Sequence, residues 1–254
     1  RKRFGQNFLQ DDNIIASIVH AINPSDDDCL IEIGPGLAAL TEPLLKNISH
    51  MHVVELDRDL VARLQQRFAP EQLTIHSIDA LKSDFLSIPA EAKTRKVVGN
   101  LPYNISSPLL FHLVEFAPQI DVQVFMLQKE VIERMVAEPA TKAYGRLSVM
   151  LQYRYEMTHL FDVPPHAFVP APKVTSAIVR MTPRNPTQLL ATNEAHLSKL
   201  VTTAFSQRRK MLRNTLADMV TQEQLIACDI APTARAEELS VAKFVQLSNY
   251  LLAQ

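Results

Sequence analysis

A chain of 254 residues, 47% hydrophobic and 21% charged, is long enough to bury a full core, and this composition excludes a disordered or fibrous protein. A formal net charge of −1 excludes a uniformly basic nucleic-acid binder but leaves room for a local basic face. No apolar run approaches the roughly 20 residues of a transmembrane helix, no signal-peptide pattern opens the chain, and two cysteines, Cys29 and Cys228, make no disulfide framework. Two free thiols in a reducing cytoplasm are expected, with further native residues ahead of Arg1 because the chain does not open on Met.

The first stretch, Arg1-Lys2-Arg3, is basic and leads into Phe4 and Phe8. Asp11 or Asp12 then reads as the N-cap of a helix carrying Ile14, Ile15, Ile18, Val19 and Ile22 on one face, stopped by Asn23-Pro24. Cys29 to Ile33 is a short buried strand that runs into Gly34-Pro35-Gly36-Leu37-Ala38, with a helix from about Thr41. Glycines let a backbone approach a ligand closely, and N–H groups at a helix start can face it. The spacing fits Gly-x-Gly-x-x-Ala, which by itself does not separate a nicotinamide dinucleotide from S-adenosylmethionine.

Met51 to Leu56 is the second strand and carries Glu55 at its end, about 20 residues beyond the glycines, where such folds place an acid on ribose hydroxyls. Asp57 caps the next helix, and a third strand from Leu73 to Ile78 ends at Asp79. A fourth ends in Val97-Val98-Gly99 and delivers Asn100-Leu101-Pro102-Tyr103. Successive strands thus end at Gly34, Glu55, Asp79 and Asn100, and in an open α/β sheet such positions line one crevice. Either acid taken singly reads rather as a helix cap or a solvated turn, and it is the series of polar strand ends after a glycine turn that points to a site. Pro102 fixes its own φ and restricts Leu101, so the fourth tip is stiff. An Asn side-chain oxygen and a neighbouring backbone carbonyl can accept both hydrogens of an exocyclic amino group while a Tyr ring stacks on the base. The tetrapeptide alone is equally an ordinary strand-ending turn.

Leu109 to Phe116 follows as a helix, Val122 to Leu127 as a fifth strand, and Gln128 to Ala137 as a helix. Late strands are expected within Leu147 to Phe161 and Val174 to Met181. They flank a proline-rich loop, Val163 to Lys173, which holds out Phe168 as a second ring for a base or else tucks it into the core. Thr182-Pro183-Arg184-Asn185-Pro186 marks a domain boundary, dividing residues 1–184 from 185–254. Only helical patterns lie beyond it. From Lys199 to Leu216 the tail carries Lys199, Arg208, Arg209, Lys210 and Arg213 without an Asp or Glu, a pattern that suits phosphates. The histidines are scattered without ligand spacing, so no metal is expected.

Taken in order, Arg3-Phe4-Gly5-Gln6-Asn7-Phe8-Leu9, Glu32-Ile33-Gly34-Pro35-Gly36, Gly99-Asn100-Leu101-Pro102-Tyr103-Asn104-Ile105-Ser106, the Pro164 to Lys173 loop and Ala204 to Lys210 resemble the ribosomal RNA adenine dimethylases over nearly the whole chain. Asn-Leu-Pro-Tyr is similar to the motif of methyltransferases that act on nucleic-acid amino groups, with Leu101 where many have Pro, and Ala38 stands where many have a third glycine. The resemblance implies an α/β, Rossmann-like S-adenosylmethionine-dependent methyltransferase domain over 1–184 and a small all-helical rRNA-binding domain over 185–254. It implies cofactor contacts from Asn7, Leu9, Gly34, Gly36, Glu55, Asp79 and Asn100, with Glu55 on the ribose and Asp79 on the adenine amino group. Asn100, Leu101, Pro102, Tyr103 and Phe168 become the catalytic set, and Arg1, Lys2, Arg3, Lys199, Arg208, Arg209, Lys210 and Arg213 the RNA contacts. The implied substrate is two adjacent adenines in a hairpin loop near the 3′ end of small-subunit rRNA, within the small ribosomal subunit or its precursor. A cytoplasmic monomer without a metal is expected. Three alternatives stay open: a methyltransferase of large-subunit rRNA, a nicotinamide dehydrogenase, which leaves the Asn100 to Tyr103 tip without a role, and a non-enzymatic assembly factor.

Overall fold

The computed structural model describes residues 7–88 and 94–254. Capped helices alternate with short apolar strands in the amino-terminal half. β1 (Phe8–Leu9) precedes α1 (Asp12–Ile22), whose cap Asp11 accepts the N–H groups of Asn13 and Ile14 and whose end, Asn23, takes a left-handed conformation. Then come β2 (Asp28–Ile33), α2 (Thr41–Leu45), β3 (Met51–Val54), α3 (Arg58–Arg67), β4 (Leu73–His76), β5 (Thr94–Asn100), α4 (Ser106–Val114) and β6 (Val122–Gln128). The chain continues through α5 (Lys129–Met135), α6 (Arg146–Arg154), β7 (Tyr155–Val163), β8 (Phe168–Val169) and β9 (Ser176–Pro183). It ends in α7 (Glu194–Ala204), α8 (Leu212–Thr215), α9 (Gln222–Ala227) and α10 (Val241–Leu252).

The main sheet runs β4-β3-β2-β5-β6-β9-β7, parallel from β4 to β6 and antiparallel where β9 meets β6. Strands buried on both faces need unbroken apolar runs, which is why Leu30-Ile31, Val97-Val98 and Phe125-Met126-Leu127 read as they do. The strand order reverses between β2 and β5, and in open α/β sheets the ligand crevice opens at such a switch, beyond the carboxyl ends of the strands. One face of the sheet supplies Leu30, Val53, Val98, Val124, Met126 and Ile178 to a core shared with Ile18 and Ile22 of α1 and with Phe168.

The chain forms two compact units, one of Arg1–Ile132 with Met157–Pro183, the other of Glu133–Glu156 with Arg184–Gln254. One division of the chain falls between Pro183 and Arg184, where the sequence reading set a boundary after residue 184. The inclusion of Glu133–Glu156 in the second unit differs from it, and hydrogen bonds explain why. The Tyr144 hydroxyl donates to the Leu239 carbonyl (2.7 Å), the Ala140 N–H donates to the Glu237 carbonyl (2.7 Å), and Arg154 pairs with Glu194. Within this unit α7 packs on α6 and α10, and Asn193 and Ser240 cap α7 and α10. Arg146–Arg154 is a helix rather than the strand expected there. Ser148 accepts the Gly145 N–H at its start, and the apolar run Val149-Met150-Leu151 is buried on all sides, so periodicity could not distinguish the two.

Candidate active site

β2 delivers the glycine turn and β5 the Asn100 tip, side by side across the switch point. Gly34 and Gly36 hold φ of +67° and +56°, left-handed values that a side chain resists. A Cβ on Gly34 would meet the Asn100 carbonyl oxygen at 3.7 Å and Pro102 Cδ at 3.9 Å, and one on Gly36 would meet the Phe8 ring at 3.7 Å. Turn, tip and amino-terminal ribbon therefore converge. The approach is closest at Gly99, where an added Cβ would sit 2.3 Å from the Ile33 carbonyl oxygen, so β2 and β5 can pair this tightly only with glycine there.

Acids line the strand ends. Glu55 accepts the N–H groups of Asp57 (2.9 Å) and Gly36 (3.4 Å), which ties the end of β3 to the turn. Burial raises its pKa, and those N–H groups oppose the rise. Asp79 accepts the Leu81 N–H (3.0 Å) and so caps a short 3₁₀ turn, Ala80–Lys82. Beneath the turn, Glu32 is 1% exposed and accepts the Thr41 hydroxyl at 2.6 Å. Burial first, then the neighbouring Glu55, pushes its pKa up to about 7. Sequence reasoning missed the two aliphatic side chains beside the acids: Leu56 is 63% exposed and Ile78 42% exposed. Their signal was available, since an apolar residue one step past or before a strand-ending acid has no core to enter.

The tip itself is braced by hydrogen bonds. The Leu101 N–H donates to the Met126 carbonyl (3.1 Å), the Ile105 N–H to the Pro102 carbonyl (3.2 Å) and the Ser106 hydroxyl to the Tyr103 carbonyl (3.1 Å). The Tyr103 hydroxyl lies 2.6 Å from Oγ of the fully buried Ser176. Leu101 anchors the tip in the core while Pro102 faces solvent.

Phe168 is not held outward. β8 pairs antiparallel with β1, Leu9 opposite Phe168 and Phe8 opposite Val169, and the Gln10 N–H donates to the Ala167 carbonyl (2.8 Å). Alternation along this ribbon turns Val169 out and Phe168 in, leaving its ring 3% exposed in the core with Leu9. Phe8 is the ribbon residue that reaches the turn, while Asn7 before it is half-buried and Leu9 is buried in the core. Arg1, Lys2 and Arg3 lie outside the described residues.

In the second unit Lys199, Arg208, Arg209, Lys210 and Arg213 are all exposed. Arg208 is nonetheless engaged, reaching Glu237 (3.4 Å) and the Lys142 carbonyl, so an acid distant in sequence compensates one charge of the run. Among the described residues no group of three or more His, Cys, Asp or Glu side chains is placed to hold a metal ion, and no helix is long and apolar enough to cross a membrane.

A glycine turn at a switch point, acids on the next two strand ends and a braced Asn-Leu-Pro-Tyr tip define a Rossmann-like methyltransferase of the kind that modifies amino groups. Residues 1–253 match the family model described as ribosomal RNA adenine dimethylase, and the chain belongs to that family. It is 58% identical to the ribosomal RNA small subunit methyltransferase A of Aromatoleum aromaticum over all of this chain and 95% of that protein. It is also 58% identical to the protein of the same name from a Janthinobacterium species, over 99% of this chain and 98% of that one. The crystal structure of a dimethyladenosine transferase from Plasmodium falciparum superposes with a TM-score of 0.80 at 27% identity, covering 94% of this chain and 95% of the other.

Proposed function

We propose that the protein transfers methyl groups from S-adenosylmethionine to the exocyclic amino groups of two adjacent adenines in a hairpin loop near the 3′ end of 16S rRNA, during assembly of the small ribosomal subunit in the cytoplasm. The observation that carries this reading is the braced Asn100 to Tyr103 tip set directly against Gly34. The names of the relatives support the small subunit as target.

The crevice residues fit the cofactor. Glu55 and Asp79 offer carboxylates to ribose hydroxyls and to a base amino group, Leu56 and Ile78 offer aliphatic surface to the faces of that base, and the glycines leave the backbone open to close approach. Gly36 in the turn, and Asn7 and Leu9 on either side of the Phe8 that packs on it, complete the cofactor contacts in this reading. S-adenosylmethionine supplies an electrophilic methyl on a sulfonium sulfur.

The target amino nitrogen is a poor nucleophile because its lone pair is delocalised into the adenine ring. Asn100 Oδ1 and the Leu101 carbonyl accept its two hydrogens, which favours a pyramidal nitrogen and localises the pair. Pro102 and the hydrogen bonds of the tip hold the backbone that carries both acceptors, so much of the positioning is in place beforehand. Positive charge moves onto the base as the methyl arrives, and the face of Tyr103 stabilises it by about 1 kcal/mol or more once water is excluded. The amino proton becomes acidic only after transfer, so no strong base is needed at the tip. The base must leave its stack to enter. Phe168 supplies the second ring in this reading, and its burial means that the Val163–Lys173 segment yields as the base enters.

The test is methyl transfer from labelled S-adenosylmethionine to small subunits lacking this modification, and in parallel to large subunits, with nucleoside digestion of the product. Dimethyladenosine is expected from small subunits alone. Transfer confined to large subunits contradicts the substrate assignment.

A further inference from the structure

An amino group held by Asn100 and the Leu101 carbonyl is common to adenine, cytosine and guanine, so the tip alone does not read the ring that carries it. Gln128 is placed to do so. It closes β6 at the end of the sheet where β5 delivers Asn100. Asn100 is in register with Met126, and residues two apart on a strand share a face, so Asn100, Met126 and Gln128 project to the same side. Across the next ladder Gln128 stands directly opposite Ser176, the residue that holds the Tyr103 hydroxyl at 2.6 Å. Directly opposed side chains have Cβ atoms about 5 Å apart. Strand register thus sets Gln128 beside the serine that anchors the Tyr103 ring and on the same face as Asn100.

Its hydrogen-bonding state sets it apart. Gln128 is half-buried, and no hydrogen bond to its side chain is present among the described residues. Other polar groups nearby are committed: the Tyr103 hydroxyl to Ser176, the Ser106 hydroxyl to the Tyr103 carbonyl, and Lys129 Nζ to Asp162 at 2.7 Å. The Gln128 amide atoms are not among the buried polar atoms that lack a partner, so they stay open to solvent and to an incoming ligand in the free protein.

Resting on the methyltransferase reading above, we infer that Gln128 reads the target base by donating an N–H to a ring nitrogen flanking the amino group. A primary amide carries two donors and one acceptor. In adenine, N1 and N7 are acceptors on either side of the 6-amino group. Guanine carries an oxygen at that position, and its 2-amino group has a ring N–H on one side and the acceptor N3 on the other, so only a donor aimed at the N7 side rejects it. Cytosine has an acceptor on only one side, so a donor aimed at the N7 side rejects it as well.

The experiment uses small subunits reconstituted with target adenines replaced by 1-deaza- or 7-deaza-adenine, tested with wild type, Gln128→Leu and Gln128→Glu. Both variants are expected to lower kcat/KM on native subunits about 10- to 100-fold. S-adenosylhomocysteine affinity and melting temperature are expected to stay at wild-type values, which a purely structural role does not allow. One deaza substitution is expected to cost wild type a similar factor and Gln128→Leu nothing further. Turnover by Gln128→Leu within twofold of wild type overturns the inference, as does an equal loss for both proteins on both deaza substrates. If wild type transfers no methyl to any rRNA, the functional reading fails first and this inference with it.

Discussion

The Tyr103 hydroxyl is pinned 2.6 Å from the fully buried Ser176, so the orientation of its ring is already set before any base arrives. Phe168 poses the complementary question, since its ring is both core packing and the assigned second face. Two substitutions separate the roles. Phe168→Ala is expected to lose about 3 to 4 kcal/mol of stability because it leaves a cavity. Phe168→Leu, which keeps most of the buried volume, is expected to melt within a few degrees of wild type yet turn over rRNA roughly 10-fold more slowly, from the loss of a stacking surface. Melting curves and initial rates check both outcomes, and an unchanged rate for Phe168→Leu confines the ring to packing. The residue scale also shows what a sequence can disclose. Gly34, Glu55, Asp79 and Asn100 were legible because each follows an apolar run, and strand ends in this fold face one crevice. The inward turn of Phe168 was not, because it depends on a two-residue ladder with a segment more than 150 positions away. Gln128 was invisible for a similar reason: its relation to Asn100 and Ser176 exists only in strand register.

Among the elements, the β3–β4 pair holds the carboxylate ends in place and carries a histidine cluster behind them. His52 Nδ1 lies 3.1 Å from His76 Nε2, the His50 and His52 rings meet edge-on at 4.8 Å, and the His76 carbonyl accepts the Glu55 N–H. Burial, then His50, His76 and Arg95, pushes the His52 pKa down to about 4 from an ordinary 6.5, and burial also lowers that of His76. A depressed imidazole pKa means that the unfolded chain takes up a proton which the native state refuses. Stability from this site is therefore full above pH 6.5 and is lost as pH falls toward 4. Glu32 acts in the opposite sense. Its pKa is raised from 4.5 to about 7, so its contribution is full below pH 4.5 and is lost as pH rises through 7. Melting temperatures from pH 4 to 8 test both signs. His52→Gln is expected to flatten the acid limb, and Glu32→Gln, which still accepts from Thr41, to gain on wild type at pH 8 relative to pH 5. Curves that stay parallel to wild type contradict the assignment. Most elements were readable from apolar period and caps. Arg146–Arg154 was not, since a helix buried on all sides has the same pattern as a buried strand.

At the scale of the whole molecule, the net charge of −1 conceals an uneven distribution, with the exposed cations Lys199, Arg209, Lys210 and Arg213 gathered in the second unit. The boundary near Arg184 was legible from its prolines. The return of Glu133–Glu156 to the second unit was not, because it rests on Tyr144, Ala140 and Arg154 finding partners far along the chain. Arg208 differs from its neighbours because Glu237 and the Lys142 carbonyl already hold it. Replacing Arg209, Lys210 and Arg213 together by Ala is expected to leave the melting temperature unchanged and to weaken rRNA binding. The slope of log affinity against log salt should fall by about 2 to 3, one lost phosphate contact each. Arg208→Ala is expected to lower the melting temperature as well, because it cuts a tie within the unit. Salt-dependent binding and thermal melts of the two variants separate a phosphate contact from a structural one.

If the crevice binds the cofactor and the Asn100 tip performs the transfer, Asn100→Ala separates the two roles in one protein. Dimethyladenosine formation on unmodified small subunits and affinity for S-adenosylhomocysteine should be measured on the same preparation. Product formation is predicted to fall by about 100-fold or more, the scale of losing one preorganised hydrogen-bonding group at a reacting centre. Cofactor affinity is predicted to stay within about tenfold of wild type, since Glu55, Asp79 and the glycine turn remain. An Asn100→Ala protein that dimethylates small subunits at the wild-type rate would contradict the account.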